Sequence, residues 1–301
     1  MKVYQFIERY FWVFMIAGLI VGLIHPVYID FLMSLLQPFL MVMLFLVFIK
    51  TDVAQIFQHI KNYKYMAFII FMFMVVVPVL LFEATNLIYP ELAIGVLLLT
   101  AMPAGAASPA LTDIVKGNTA LSTSILITTS IIAPLTVPVL FWALTADKLS
   151  VNPWWIFKTL AVIIFLPLLI SLFVRSYLSD FTKKTSHLFT SVNIFLLTIM
   201  VFAVIGSQRI VILNDFIPIL WQTGFLYLVF VMLHVFGFLI GFREDKKGKI
   251  ATTIGLAYMN NGMAIVLAAA CFKPSILVFT ILSELPWNTL LGPLRKIIGR
   301  V

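Results

Sequence analysis

Charged residues are scarce in this chain, and cysteine is nearly absent. Asp, Glu, Lys and Arg make up 11% of the 301 residues, against about 25% in soluble domains. Because so few charges cannot solvate the surface of a soluble domain, the sequence predicts an integral membrane protein. We expect it in a bacterial cytoplasmic membrane. The single cysteine, Cys271, excludes an internal disulfide and any cysteine-rich metal site.

Acidic residues are outnumbered by basic ones, which leaves a net charge of +8. The Lys and Arg residues lie in short loops between apolar segments, and membrane orientation explains this pattern better than nucleic-acid binding. If the amino terminus is cytoplasmic, sixteen of them fall on the cytoplasmic side and four outside. We therefore expect both termini in the cytoplasm and no nucleic-acid partner. The longest charge run, Arg243–Lys249, is interpreted as a solvated cytoplasmic turn.

Ten apolar segments approach the roughly 20 residues that a membrane-spanning helix needs. The first follows Lys2 and Arg9 without a small-residue cleavage site, so we expect a retained helix rather than a signal peptide. The pattern predicts an all-α membrane protein with ten transmembrane helices in two five-helix repeats, 1–145 and 146–301. Because five is odd, the second repeat is inverted. The segments are 10–25, 28–49, 65–84, 91–116, 119–145, 154–174, 187–206, 217–241, 250–272 and 274–294.

The fourth segment of each half contains polar residues and helix breakers where a membrane helix is normally apolar. Inside a bilayer an unpaired backbone group costs several kcal/mol, so a broken helix is expected only where it lines a cavity or binds something. Broken segments at matching places in two halves are typical of the central site of a secondary transporter. The sequence predicts helix breaks at Pro103, Gly105, Pro109 and Gly262.

Hydroxyl groups near the first break are candidate ligands for a coupling cation such as sodium. Ser108 follows the break, and Ser122 and Thr123 lie in the next segment. At 3.6 residues per turn, Ser122 shares a helix face with Thr129. The same hydroxyl residues could equally be small packing residues between membrane helices, and the sequence leaves both interpretations open.

Amides and one carboxyl group are candidate substrate ligands. The adjacent carboxamides of Asn260 and Asn261 point to different helix faces, so one helix contact cannot easily satisfy both. Glu284 is the only acid well inside a segment, and an intramembrane carboxylate indicates a functional site, although a structural hydrogen-bonded role is the alternative. The predicted substrate-binding residues are Asn260, Asn261, Asn288, Ala106 and Glu284, and the predicted cation-binding residues are Ser108, Ser122, Thr123 and Glu284.

These motifs resemble the bile acid:sodium symporter family. The likeness is most specific over Met102–Thr136, and it continues through Tyr258–Ala264 and Trp287–Asn288. It implies an inverted repeat in which segments one, two, six and seven form a panel. The other six would form a core whose broken helices four and nine cross at mid-membrane. It further implies sodium-driven uptake of amphipathic organic anions, as the core moves against the panel.

When the family's ligand residues are matched to this chain position by position, the resemblance implies that Ser108 and Ser122 provide sodium-ligand hydroxyls. It implies that Asn260 and Asn288 provide amides on the substrate side. The chain departs from the family at four other positions. Of the two sodium sites that the resemblance implies, one keeps some of its oxygen ligands and the other has lost ligands that the family provides. Our hypothesis is that Glu284 supplies the missing carboxylate and holds a cation or cycles a proton. The departures are Pro109 for asparagine, Gly255 for a glutamate shared by both sodium sites, Met259 for glutamine and Leu126 for threonine.

The leading interpretation is a secondary-active transporter that moves an organic anion by alternating access, with sodium as the coupling ion. The alternative is a sodium-independent, proton-coupled or facilitative carrier of a small metabolite that uses Glu284. An intramembrane hydrolase is disfavoured because the chain has no HExxH motif, aspartate pair or plausible Cys–His arrangement. We expect no enzyme activity, no metal beyond sodium and no cofactor other than coupling Na⁺ or H⁺. A channel is disfavoured because it would need a polar stripe through many segments, whereas the polar residues here are confined to one depth. The expected partners are the anion and the lipid bilayer, and the sequence does not specify an oligomeric state.

Overall fold

A computed structural model of the protein describes residues 6, 10–50, 63–145, 152–177, 182 and 184–298. Within these ranges the chain is helical and contains no strand, which confirms the all-α prediction. Two residues used above, Lys2 and Arg9, lie outside the described residues. So does residue 146, on one side of the predicted repeat boundary.

Most of the described residues lie in helices that follow one another through short connections. In chain order the first helices are α1 (Phe11–Ile24), α2 (Ile29–Ser34), α3 (Leu36–Phe48), α4 (Tyr63–Phe71), α5 (Val77–Ile88), α6 (Pro90–Thr100), α7 (Ser108–Ile114) and α8 (Thr119–Thr145). The next are α9 (Pro153–Tyr177), α10 (Phe189–Ser207), α11 (Arg209–Asn214), α12 (Phe216–Ile240), α13 (Lys246–Ala257), α14 (Asn261–Cys271), α15 (Pro274–Leu282), α16 (Glu284–Thr289) and α17 (Leu291–Ile298). A π-helical stretch, Met72–Val76, joins α4 to α5.

Length and composition make these helices suitable for a membrane. Six helical runs are long and apolar enough to cross it, and four shorter apolar helices lie in the remaining predicted segments. The chain is therefore an integral membrane protein, while the ten-helix inverted layout stays a prediction. The long runs are Tyr63–Ile88, Thr119–Thr145, Pro153–Tyr177, Ser186–Ser207, Phe216–Ile240 and Pro274–Ile298. The shorter helices are Val13–Ile24, Leu36–Phe48, Pro90–Thr100 and Asn261–Cys271.

The last of these long runs is interrupted beside its acidic residue. Helix α15 ends at Leu282, and α16 begins at Glu284 with Pro286 in its first turn. A proline ring clashes with the carbonyl four residues earlier, which here belongs to Leu282. This proline accounts for the interruption next to Glu284, and the carboxyl group lies at the start of a short helix.

The chain folds into two compact units, each built from two separate stretches of sequence. The first comprises residues Met1–Asp52 and Ala161–Ile217. In it, α1 packs on α10 through two glycines four residues apart. A Cβ atom at Gly18 would lie 2.9 Å from the carbonyl oxygen of Thr198, and one at Gly22 would lie 2.8 Å from that of Phe202. Small residues allow membrane helices this close approach.

The second unit comprises residues Val53–Leu160 and Pro218–Val301, and it contains the fourth and ninth segments, in which the sequence predicts helix breaks. Helix α6 packs against α5 and α15, and α8 packs against α7 and α13. The residues Val96–Leu99 are fully buried, as are Ala264 and Ile265 in α14. Because α6 and α14 are apolar on nearly all sides, they form the interior of this unit rather than its surface.

Candidate substrate and cation site

The two interrupted segments meet within the second unit. One break separates α6 from α7, and the other, Tyr258–Asn260, separates α13 from α14. Ala104 in the first break pairs with Met259 in the second as an isolated antiparallel β-bridge. The Asn260 backbone N–H donates to the Pro103 carbonyl at 2.8 Å. We call this pairing the backbone bridge.

Each break supplies hydrogen-bond partners to the other through the backbone bridge. The Gly105 N–H donates to the Tyr258 carbonyl at 2.8 Å. The expectation that a cavity or ligand must satisfy the interrupted backbone is therefore wrong for these groups. Unpaired backbone is too costly in a bilayer to persist, and here the opposite chain segment removes that cost.

Gly105 is required at the backbone bridge because of space. A Cβ atom at this position would lie 2.5 Å from the Tyr258 carbonyl oxygen and 2.9 Å from that of Met259. None of the described glycines has a positive φ, so a left-handed conformation is not the reason for glycine here. Only a residue without a side chain allows the two backbones to approach so closely.

Three neighbouring helices hydrogen-bond to the backbone bridge. The Thr129 hydroxyl oxygen on α8 accepts from the Ala104 N–H at 3.1 Å. The Ser108 hydroxyl at the start of α7 donates to the Tyr258 carbonyl at 3.3 Å. On α16, the Trp287 indole N–H donates to the Met259 carbonyl at 3.2 Å. Sequence reasoning did not assign Trp287 this role, because nothing in its local pattern identifies a partner 28 residues away.

Replacing Trp287 with phenylalanine removes this donor and keeps an aromatic ring against Tyr258, whose ring centroid lies 5.5 Å away. We expect the unfolding free energy to fall by about 0.5–1.5 kcal/mol, because the Met259 carbonyl loses one hydrogen bond but still accepts from the Asn261 N–H at 2.9 Å. Thermal unfolding in detergent measures the change. Trp142→Phe is the control, since that side chain is 64% exposed. Equal unfolding midpoints for the two variants would contradict the assignment.

The predicted cation-ligand hydroxyls have different environments. Ser108 and Ser122 are fully buried, and Thr112 donates to the Ser122 hydroxyl oxygen at 3.0 Å. Thr123 is only partly buried, and its hydroxyl donates to the Thr119 carbonyl of its own helix at 2.7 Å. The structure therefore places Ser122 in a buried hydroxyl pair and leaves Thr123 engaged in its own helix.

The predicted amides and the carboxyl group lie at the start of α14 and in α16. The Asn260 side-chain oxygen accepts from the Met263 N–H at 3.0 Å and caps α14, as asparagine commonly does. On α16, the Asn288 amide nitrogen donates to a Glu284 carboxyl oxygen at 3.0 Å. Asn261 lies within interaction range of the Glu284 carboxyl group without a hydrogen bond of good geometry. We call Asn261, Glu284 and Asn288 the amide–carboxyl cluster.

Several polar atoms in this region have no hydrogen-bond partner within the described protein. They are both amide atoms of Asn261, the amide nitrogen of Asn260 and the side-chain oxygen of Asn288. Such a group costs about 1–3 kcal/mol when it is left unsatisfied, and native proteins keep few of them. The free amide N–H groups can donate to an anion. The free amide oxygen atoms and the carboxyl group can bind a cation.

The remaining predicted residues lie in or next to the breaks. Pro103 is buried and Ala106 is partly exposed, both within the first break. Pro109 lies in the first turn of α7, where its missing N–H leaves no intrahelical bond unmade. Gly262 is the second residue of α14, so it follows the second break and is not part of it.

Gly255 lies in a tightly packed apolar environment. A Cβ atom there would lie 3.1 Å from a methyl carbon of Ile125 and 3.2 Å from the ring of Phe73. Leu126, next to Ile125, is fully buried. A carboxylate at residue 255 would displace these side chains, and hydrocarbon offers no oxygen to a sodium ion. This part of the unit does not fit a cation site.

Comparison with known proteins shows which family this chain matches. Residues 37–215 match the Sodium Bile acid symporter family. A match in Bacillus subtilis, the uncharacterized sodium-dependent transporter YocS, is 29% identical over 209 residues, which cover 67% of this chain and 62% of the relative. The probable sodium/metabolite cotransporter BASS1 of Arabidopsis thaliana is 24% identical over 61% of this chain and 45% of its own length. The chain thus spans less than two thirds of either relative.

The family and these relatives are transporters and not enzymes. The family resemblance and the prediction that the chain is not an enzyme are therefore confirmed.

Proposed function

Because the chain belongs to the sodium bile acid symporter family, we propose that it is a secondary-active transporter that moves an organic anion by alternating access, with sodium as the coupling cation. The supporting observation is the set of unpartnered amide atoms at the amide–carboxyl cluster and Asn260. The substrate class is a bile-acid-like molecule, another amphipathic anion or a small carboxylate.

In this proposal the substrate carboxylate accepts hydrogen bonds from the free amide groups of Asn260 and Asn261. Both side chains are more than nine-tenths buried, so these bonds form away from bulk water and are correspondingly strong. Both residues also lie at the start of α14, where the helix dipole favours negative charge. Asn288 on α16 belongs to the proposed substrate site through its free side-chain oxygen, because its amide nitrogen donates to Glu284.

Glu284 is the proposed coupling group. Glu284 is 7% exposed, and the Asn288 amide donates a hydrogen bond to its carboxyl group. An uncompensated carboxylate inside a membrane is costly, so a bound cation or a proton must neutralise it. We propose that it replaces the carboxylate that the family has at the position of Gly255.

A second candidate function is a sodium-independent carrier in which Glu284 cycles a proton, or in which transport is facilitative. The packing of Ile125 and Phe73 around Gly255 favours it, since one family sodium site has no room there. The two candidates share the proposed site and differ in the coupling of transport to an ion gradient and in the substrate, which is a small metabolite in the second.

The panel-and-core arrangement belongs to the same proposal. Residues 1–52 and 161–217 form one compact unit, and residues 53–160 and 218–301 form the other. The first unit contains segments one, two and seven and most of segment six, and the second contains the other segments. This division supports a panel of segments one, two, six and seven and a core of the other six. The orientation with both termini in the cytoplasm is proposed from the distribution of Lys and Arg.

Counterflow in proteoliposomes tests the proposed function. Vesicles are loaded with an excess of unlabelled cholate, an amphipathic probe, or benzoate, a small one, and trace label is added outside. An alternating-access carrier accumulates label transiently above equilibrium. Protein-dependent flux that never saturates and shows no counterflow would indicate a channel and contradict the proposal.

Asn261→Ala is expected to reduce the counterflow rate by about 10- to 100-fold, because a hydrogen bond to a charged group contributes about 1.5–3 kcal/mol. Asn214→Ala is the matched control, since Asn214 is exposed at the end of α11. If both variants transport like the wild type, Asn261 does not bind the substrate.

A further inference from the structure

A pocket lies at the ends of α7 and α13 that are farther from the backbone bridge. Its volume is about 410 Å³, within the usual range for small-molecule sites. It is formed by the segment that ends α7, the first turn of α13 and the last turns of α17. The lining residues are Ile114, Val115, Lys116, Lys246, Lys247, Ile250, Arg295 and Ile298. We call it the basic pocket.

The basic pocket is lined by four cations and no acid. Nearby acidic side chains among the described residues form no ion pairs with them. The Asp245 carboxyl oxygen accepts from the Gly248 N–H at 2.8 Å and caps α13, while Asp113 is exposed and does not line the pocket. Like charges held close together repel, so an anion bound among them would relieve that repulsion.

The walls of the basic pocket are fixed to each other. The Asn118 N–H donates to the Lys247 carbonyl at 2.9 Å, which ties the end of the α7 segment to the first turn of α13. A Cβ atom at Gly117 would lie 2.6 Å from a methyl carbon of Ile250. Because these segments are in direct contact, the fold fixes the backbone positions from which the exposed cationic side chains extend.

Lys116 has an unfavourable backbone conformation in this pocket. Its φ is 60°, in the left-handed region, at the position after a helix where glycine is usual. The next residue is a glycine, Gly117, whose N–H donates to the Thr112 carbonyl at 2.8 Å and closes the helix end. Strain carried by a side-chain-bearing residue beside a glycine is a recognised sign of a functional position.

We propose that the basic pocket binds a phosphate-bearing anion of about the size of glycerol phosphate. Lys and Arg are the side chains that bind phosphate, and basic pockets at the cytoplasmic ends of membrane helices accommodate lipid headgroups. The apolar residues, of which Ile114 is 51% exposed, provide a surface for the hydrocarbon part of such a molecule. The same chemistry occurs in an anionic phospholipid headgroup and in a free phosphate ester.

Lipid binding is measured by native mass spectrometry of the purified full chain with phosphatidylglycerol or phosphatidylcholine. In lipid-free detergent, thermal shift with glycerol 3-phosphate and inorganic phosphate tests the soluble source. The pocket variant is Lys246→Gln, Lys247→Gln and Arg295→Gln together. The control removes the same charge from exposed positions outside the pocket, with Lys64→Gln, Lys184→Gln and Lys273→Gln.

The pocket variant is expected to bind phosphatidylglycerol at least about tenfold more weakly, with little change in the control, because each basic residue contributes to anionic-lipid binding. If glycerol 3-phosphate raises the unfolding midpoint of the wild type but not that of the pocket variant, the natural ligand of the basic pocket is a soluble phosphate ester. Equal loss in both variants would overturn the proposal. So would the absence of both a preference for phosphatidylglycerol and a phosphate-induced shift.

Lys116→Gly separates binding from folding. Glycine suits the left-handed conformation, so we expect a higher unfolding midpoint in lipid-free, phosphate-free detergent. We also expect weaker phosphatidylglycerol binding, because one of the four cations is lost. An unchanged affinity would contradict the role of Lys116 in the basic pocket.

Discussion

Gly105→Ala is expected to abolish transport and to destabilise the protein. A Cβ atom at this position would lie 2.5 Å from the Tyr258 carbonyl oxygen, which is backbone and cannot rotate away. The two breaks must then separate, which stretches the hydrogen bonds of the backbone bridge and displaces Asn260 and Asn261. Overpacking of this kind costs about 1–3 kcal/mol, and counterflow and thermal unfolding measure the two effects.

The matched control for Gly105→Ala is Gly224→Ala. Gly224 lies in α12 of the same unit, and a Cβ atom there would have no atom within 4 Å. In a helix interior alanine is more favourable than glycine by about 1 kcal/mol, so this variant is expected to be at least as stable as the wild type. If Gly105→Ala transports as well as Gly224→Ala does, the close approach at the backbone bridge is not required for function.

Glu284→Gln is expected to uncouple transport from ion gradients. Glutamine retains the size of the side chain and an oxygen for Asn288 but cannot bind a cation as a carboxylate or release a proton. In proteoliposomes the accumulation ratio of the substrate should fall to about 1 under an imposed gradient, since no coupling free energy remains. Counterflow, which needs no gradient, should persist.

The two candidate coupling ions are separated by imposing the gradients one at a time. Under sodium coupling, wild-type accumulation requires a sodium gradient, and under proton coupling it requires a pH gradient. Glu91→Gln is the control, because Glu91 is exposed in the first turn of α6. A Glu284→Gln variant that still concentrates substrate normally under both gradients would remove Glu284 from the coupling mechanism.

The helix breaks could be predicted because their causes are local. Proline removes a backbone donor and clashes with the preceding turn, and such residues stand out in an apolar segment. The same physical reason explains the break beside Glu284, where Pro286 follows. The backbone bridge could not be predicted, because it joins Ala104 to Met259 across more than half of the chain. No periodicity in either segment records that pairing.

Candidate ligands were harder to separate from packing residues. Helical periodicity predicted a common face for Ser122 and Thr129, and both are buried as expected. The same periodicity places Thr123 on a different face from Ser122, and the structure leaves Thr123 partly exposed. The packing around Gly255 depends on Phe73 and Ile125, which come from two other helices. The roles of the site residues remain predictions.

Charge in the sequence was interpreted only as a determinant of membrane orientation. The run Arg243–Lys249 was interpreted as a solvated cytoplasmic turn. Lys246 and Lys247 are exposed, but they lie in the first turn of α13, so the turn ends at Asp245. The fold adds Lys116 and Arg295 from distant parts of the chain and so creates the basic pocket. Only tertiary structure can turn scattered loop charges into a site.

The most direct test of the central claim is the thermal stability of the purified protein, measured in sodium against potassium, at several pH values, and with or without cholate or benzoate. A ligand that binds only the folded state raises the unfolding midpoint as its concentration rises. We predict that sodium or protons, together with an organic anion, raise the midpoint of the wild type, and that Glu284→Gln removes the cation-dependent part. A midpoint that responds to neither cation nor to any anion would contradict the existence of a coupled substrate site at the amide–carboxyl cluster.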